Sequence, residues 1–294
     1  MFLGRNLLNL DINTYPKMKT RQTAVAGKFY PGTKDEITQQ LNNILLKEKP
    51  FIDLSLSSKK IIGAVVPHAG YMFSAYQALH FFEILKHSQQ QFDTFFIINP
   101  NHTGYGAEIS LDDNDFWDSP FGKIEIDKDF YDFLDFTESA DAHKFEHSGE
   151  VMIPLLQYAL DYPFKIVPIT LSSQNPKNAR FVAQNIIKAN NILDKKICII
   201  ASSDFSHFVE PAEGKVLDKL VIDEILKLNP EGVFQQVQDK NISVCGFGPI
   251  MTLMEYASLI NQEPQVQILK IGHSGEIIPS NEVVDYVSML FYEK

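Results

Sequence analysis

Four short segments carry side chains able to do chemistry, and each follows an apolar run. IIGAVV leads into PHAGY (residues 67–71), FFIIN into PNHTGYG (100–106), CIIA into SSDFSHF (202–208), and an apolar approach into VCGFGP (244–249). They supply His68, His102, Asp204 with His207, and Cys245. Two imidazoles, a thiol and a carboxylate delivered from separate strand ends form a ligand set suited to zinc, iron or copper. Pro249 marks a helix start just after Cys245, and a thiol near a helix N-terminus is expected to have a lowered pKa and to be readily a thiolate.

Each residue alone has a plainer explanation. A histidine after a strand is more often a hydrogen-bonded turn residue than a ligand, Asp204 suits an N-cap for a helical FSHF segment, and a free Cys usually packs as a small buried side chain. Cys198, inside CIIA, belongs to the core. His80, His87, His143 and His273 read as helix-face or loop residues. What packing alone does not explain is three strand ends that each bring a histidine, with Asp204 and His207 close together. A further segment, FEHSGEV (145–151), holds Glu146, His147 and Glu150 ahead of a helix. There Glu150 suits the helix dipole, and His147 beside Glu146 suits an acid/base pair or a pair that orients a ligand.

Such residues need strands to place them. Apolar runs at 61–66, 95–98, 165–169, 197–201, 266–271 and 284–291 read as strands, mostly buried on both faces. Helical spacing occupies 34–46, 74–86, 150–160, 177–190, 212–228 and 250–260. The alternation predicts an α/β fold in a single domain, with a mostly parallel or mixed central sheet and helices on both faces. Ligands in such sheets bind at the carboxyl ends of the strands. The stretch 112–128, with Trp117, Pro120 and Gly122, reads as a hairpin or irregular excursion covering an edge or rimming a pocket.

Bulk composition narrows the function classes. The 294 residues are 45% hydrophobic and 21% charged, which favours a folded globular chain over a disordered one. A net charge of −11 without clustered Lys and Arg excludes a nucleic-acid footprint. Two cysteines suit a reducing, cytoplasmic setting, and no apolar run is long enough to span a bilayer. Met18 precedes KTRQTAVAGKFYPG, where ordered sequence is expected to begin. Residues 1–17 are therefore expected to be a disordered leader and residues 18–294 the single domain.

Taken in order, AVAGKFYPG (24–32), PHAGYMFSA (67–75), PNHTGYG, WDSPFG (117–122), EHSGEV, SSDFSHF and VCGFGP resemble the segments of the Memo family. The resemblance covers the chain from Met18 onward. It implies a fold similar to class III extradiol ring-cleavage dioxygenases, with His68, His102 and Cys245 in the positions of the metal ligands. Asp204 and His207 would stand alongside; in the leading reading of the residues Asp204 is a ligand or anchor, and His207 and His147 are acid/base groups. A thiolate in place of the expected carboxylate departs from the two-His-one-carboxylate set of non-haem iron(II) enzymes.

The expected function is therefore metal binding with iron or copper redox or oxygen chemistry on a small organic substrate, Tyr71 and Phe247 lining the rim. The alternative is a non-catalytic scaffold that binds a peptide or sequesters a metal, and a zinc hydrolase is the weaker third reading. The resemblance also implies AMMECR-like and radical-SAM proteins as partners. Gly149 stands where the family more often carries a bulky aliphatic residue, with an expected cost to the following helix of about 0.5–1 kcal/mol.

Overall fold

The structure, a computed structural model, describes residues 18–294. The expected leader at 1–17 lies outside the described residues. In the first half, strand β1 (Thr20–Arg21) and helix α1 (Lys34–Glu48) precede β2 (Lys60–Val66), α2 (Tyr71–His87) and β3 (Thr94–Pro100). Short strands β4 (Ile109–Leu111), β5 (Phe116–Trp117), β6 (Ile124–Glu125) and β7 (Thr137–Glu138) follow, then helices α3 (Ala140–Lys144) and α4 (Met152–Ala159). The second half runs β8 (Lys165–Leu171), α5 (Pro176–Leu193), β9 (Ile197–Ser202), β10 (His207–Val209), α6 (Pro211–Leu226), α7 (Pro230–Lys240), α8 (Phe247–Ile260), β11 (Pro264–His273) and β12 (Val283–Glu293).

The main sheet has the order β10-β12-β2-β9-β3-β8-β4-β7, with β11 paired to β12. Its centre is parallel: β9 lies between β2 and β3, and β3 pairs with β8. Both flanks turn antiparallel through β12 and β4. Every residue of β3 and β9 is buried, which is why these strands read as unbroken apolar runs without alternation. One core layer packs α5, α6, α7 and α8 on one face, and a second packs α1, α2 and α4 on the other. The predicted mixed α/β architecture is therefore the one observed. No described helix is long and apolar enough to cross a membrane.

Close approach fixes one position in the sheet. A Cβ on Gly63 of β2 would lie 2.2 Å from the Ile199 carbonyl oxygen and 2.8 Å from Leu253 Cδ1. Only glycine lets α8 and β9 close over β2 there.

Three local expectations change. The 112–128 stretch does contain a hairpin, but β5 and β6 join β1 in a small three-stranded sheet of their own. Trp117 is buried in it, its Nε1 donating to Asp112 at 2.6 Å. The segment after Asp204 is not helical: Phe208 turns through φ +57° and residues 207–209 form β10, so Asp204 caps no helix. The helix expected to run to 228 ends at Leu226, and α7, which was not anticipated, starts at Pro230 with Asn229 accepting from the Gly232 N–H.

Candidate metal centre

The parallel strands β2, β9 and β3 end side by side, so the residues that follow them meet at one edge of the sheet. His68 lies two residues past β2, His102 two past β3 and Asp204 two past β9. Cys245 arrives from the opposite direction, two residues before α8, which packs on β2, β3 and β9. One donor atom each from His68, His102 and Cys245 lies within 4.8 Å of the others. Cys245 Sγ and His68 Nε2 are 3.2 Å apart.

Hydrogen bonds decide which ring nitrogen each histidine can offer. Ser202 Oγ gives its proton to the Ser148 carbonyl at 2.7 Å, so it can only accept at 2.8 Å from His68 Nδ1. The proton of His68 is thereby held on Nδ1 and the lone pair of Nε2 faces Cys245. Burial first, then the neighbouring His147, His102 and His207, depress the His68 pKa well below the usual range, which keeps the ring neutral. His102 Nδ1 donates to Glu146 Oε1 at 2.9 Å, leaving its Nε2 as the lone-pair nitrogen. A carboxylate behind a ligating imidazole both fixes the tautomer and raises the basicity of the other nitrogen.

Glu146 is well held for this task. It accepts the His102 backbone N–H at 2.6 Å and, on Oε1, the backbone N–H and hydroxyl of Ser148 at 3.0 and 2.6 Å. Burial opposes its ionisation, but the hydrogen bonds from His102 and Ser148 outweigh it and bring the pKa down to about 2. Glu146 was read from the sequence chiefly as a neighbour of His147, whose Nδ1 is 3.5 Å away. Its shorter bond is to His102, 44 residues distant, a pairing with no local signal. Replacing Glu146 with Gln is expected to weaken metal affinity about 10–100-fold without unfolding the chain, the loss typical of a partner behind a ligand. Competition titration against a chromophoric chelator reads this, and unchanged affinity would contradict it.

The remaining predicted groups surround the trio. Asp204 is buried, and its Oδ1 accepts the His68 backbone N–H at 2.8 Å while Oδ2 stands 4.0 Å from His68 Nε2. Burial raises its pKa to about 6, against the pull of backbone N–H donors from His68 and Ala69. It lies outside the three-residue donor group and anchors the turn that carries His68. His147 packs against both rings, 5.4 Å from His68 and 4.8 Å from His102 by centroid, while those two lie 5.3 Å apart, with Phe29 at 4.7 Å from His147. His207 donates from Nδ1 to the Ser243 carbonyl at 2.8 Å, which leaves Nε2 able to accept a proton.

Other expectations need correction. The Cys245 thiol is not lowered: burial, and then the Asp204 carboxylate, push it well above the usual range. A helix N-terminus favours a thiolate only where the sulfur is not also desolvated beside an anion. Tyr71 is not a rim residue, being buried with its hydroxyl donated to the Val151 carbonyl at 2.6 Å. Phe247 packs against the α5–α8 core layer, and Phe29 is the aromatic that reaches the histidine cluster. Gly149 precedes α4 and weakens no helix. A Cβ there would lie 2.8 Å from Asn99 Oδ1, so the glycine admits β3 close to the 146–150 turn.

Glu150 serves more than a helix dipole. It accepts from Arg21 Nη1 (2.7 Å), the N–H groups of Ala24 and Val25 (2.8 and 3.0 Å) and the Tyr30 hydroxyl (2.7 Å). Arg21, overlooked in the sequence, also donates to the carbonyls of His143 and Glu146, both at 2.7 Å, and lies over Trp117. The segment 21–30 is thus tied to the turn that carries Glu146 and His147. His80, His87 and His143 are structural as expected, bonded to Glu48, the Glu83 carbonyl and the Ser110 carbonyl.

The family described as Memo-like protein matches the chain over residues 21–290. The chain belongs to the Memo-like family. A MEMO1 family protein of Sulfurisphaera tokodaii is 38% identical over 284 residues, covering 92% of this chain and 99% of its own. Another, of Methanococcoides burtonii, is 36% identical over 275 residues, with 92% and 99% covered. Among solved structures, the uncharacterized protein JW3007 from Escherichia coli K12 matches with a TM-score of 0.50 at 12% identity, covering 72% of this chain and 91% of that one. The last is a likeness of fold alone. In this Memo-like chain the family match spans all the donor residues described above.

Proposed function

We propose that this protein holds one transition-metal ion on His68 Nε2, His102 Nε2 and Cys245 Sγ and uses it for redox or oxygen chemistry on a small organic molecule. The observation that carries the reading is the convergence of these three donor atoms within 4.8 Å, with both ring protons committed elsewhere. Metal–nitrogen and metal–sulfur bonds of about 2.0–2.3 Å in a tetrahedral arrangement separate ligand atoms by about 3.3–3.7 Å. The Cys245–His68 spacing of 3.2 Å is close to this, and the His102 donor lies within 4.8 Å of both.

A bound iron or copper ion would supply one-electron exchange, and the soft thiolate favours copper or an iron chemistry different from that of a two-His-one-carboxylate site. The chain's own groups handle protons. Asp204, with its pKa near 6, changes charge close to neutrality and can hold or release one. His207 Nε2 can accept one, and His147, backed by Glu146, lies against both ligating rings. The likeness to extradiol dioxygenases belongs to this proposal, as does a cytoplasmic setting that keeps Cys245 reduced. A zinc hydrolase, with His207 or Glu146 as base, is the weaker reading: Glu146 is saturated by hydrogen bonds, and the sequence has no HExxH helix.

Cobalt(II) loading tests the thiolate. A metal deprotonates a coordinating thiol outright, so the wild-type protein is expected to show a sulfur-to-metal charge-transfer band and to release a proton on loading. Cys245→Ser should lose the band and bind more weakly. Full affinity with an unchanged spectrum would remove Cys245 from the ligand set.

A further inference from the structure

On the far side of the Asp204–His207 segment, between α6 and the β11–β12 pair, lies a cavity of about 780 Å³ that the metal centre does not use. That volume falls within the range of small-molecule pockets. Its walls are apolar, with Ile222 and Leu226 from α6 facing Ile268 and Ile271 from β11. Its polar floor is a pair of carboxyl groups, Asp218 and Asp285, only 3% and 5% exposed.

The two acids are unequally satisfied. Asp218 Oδ1 accepts the N–H and hydroxyl of Ser206 at 3.1 and 2.6 Å. Asp285 Oδ2 is buried and, among the described residues, receives no N–H or O–H donor. Nδ1 of His273, another residue lining the cavity, is in the same state. A Cβ on Gly214 would lie 2.1 Å from Asp285 Oδ2, so α6 can pass over this carboxyl only because that residue is glycine. Burial, and then the neighbouring Asp218 and Glu276, push Asp285 up to about 8. Of the two lysines that line the cavity, Lys219 is bonded to Asp223 at 2.6–2.7 Å, and Lys215 forms no ion pair with either acid among the described residues.

A desolvated acidic floor beneath hydrocarbon walls is complementary to an organic cation with an apolar body, because an ammonium brings donors to a carboxyl pair whose protein donors, among the described residues, are the N–H and hydroxyl of Ser206. We propose that this cavity binds a small apolar amine, its ammonium on the Asp218–Asp285 pair and its hydrocarbon body against Ile222, Ile268 and Ile271. The site does not depend on the metal reading. It is stitched to the same segment, however, since Phe205 N–H donates to the Asp285 carbonyl at 2.9 Å and Asp285 N–H to the Ser206 carbonyl at 2.8 Å.

The test is calorimetric titration of the whole metal-free chain at neutral pH with 2-phenylethylamine and its neutral counterpart 2-phenylethanol, up to millimolar concentration. The amine should bind saturably and the alcohol at least about tenfold more weakly, the ratio expected when a charge-assisted hydrogen bond is replaced by a neutral one. Asp285→Asn should weaken the amine by a similar factor. Ile271→Trp, which fills the mouth from an exposed position and spares the buried acids, should abolish binding, and His68→Ala should leave it unchanged. No saturable binding, equal binding of the alcohol, or binding indifferent to Ile271→Trp would each overturn the proposal.

Discussion

Replacing Glu150 with alanine is expected to destabilise the protein by about 3–5 kcal/mol, the range found when one partner of a buried ion pair is removed and the other charge is stranded. Arg21 and Glu150 are 2% and 1% exposed at their side chains and 2.7 Å apart, so solvent offers Arg21 no substitute. The loss extends beyond the pair, because the N–H groups of Ala24 and Val25 and the Tyr30 hydroxyl lose their acceptor together. Urea unfolding followed by circular dichroism would measure it as a lower midpoint with an unchanged slope. The variant should also bind metal more weakly, since Arg21 holds the carbonyls on either side of the turn that carries Glu146. A change below about 1 kcal/mol would mean that the clamp is incidental, no stronger than a surface pair.

Replacing His68 with alanine is expected to have the largest effect on the metal centre. It removes a donor atom outright, so affinity should fall by more than the about 10–100-fold that follows loss of a partner behind a ligand. His102→Ala should do the same. The fold should survive both changes, since His68 and His102 lie beyond the strand ends rather than in the sheet. Chelator competition measures the affinity, and the urea midpoint checks the fold. Retained metal binding in both variants would show that the donors lie elsewhere. Loss of the folded state in both would return the histidines to a packing role.

What the sequence revealed and what it hid follow from how local each determinant is. The strands β2, β3, β8 and β9 were legible because parallel strands buried on both faces need continuous apolar runs. Three of them could be seen to end in histidine-bearing turns for the same reason. Helix α7 also has a local signal, Asn229 followed by Pro230, which the apolar spacing of 212–228 masks. Strand order, by contrast, is a matter of partners far apart: β9 lies between β2 and β3 although it follows both in sequence.

The same distinction holds at the site. His68, His102 and Cys245 could be proposed as a group from their positions after strands and before a helix. The carboxylate that orients His102 could not, nor could Ser202, which sets the His68 tautomer from 134 residues away. Arg21 and Glu150 are 129 residues apart, and nothing in TRQTAVAG marks the arginine as buried. The Cys245 expectation failed for an electrostatic reason: a helix terminus was weighed without the desolvation and the Asp204 carboxylate that oppose it. Gly149 shows the complementary error, in which a backbone penalty was assigned to a residue retained for a close approach to Asn99.

The most direct test of the central claim is the metal content of wild-type protein purified without oxygen, measured by elemental analysis and normalised to protein concentration. The three-donor site predicts about one equivalent of iron or copper, bound tightly enough to survive gel filtration and absent from His68→Ala prepared alongside. A folded wild-type chain that retains no transition metal after loading with either ion would contradict it.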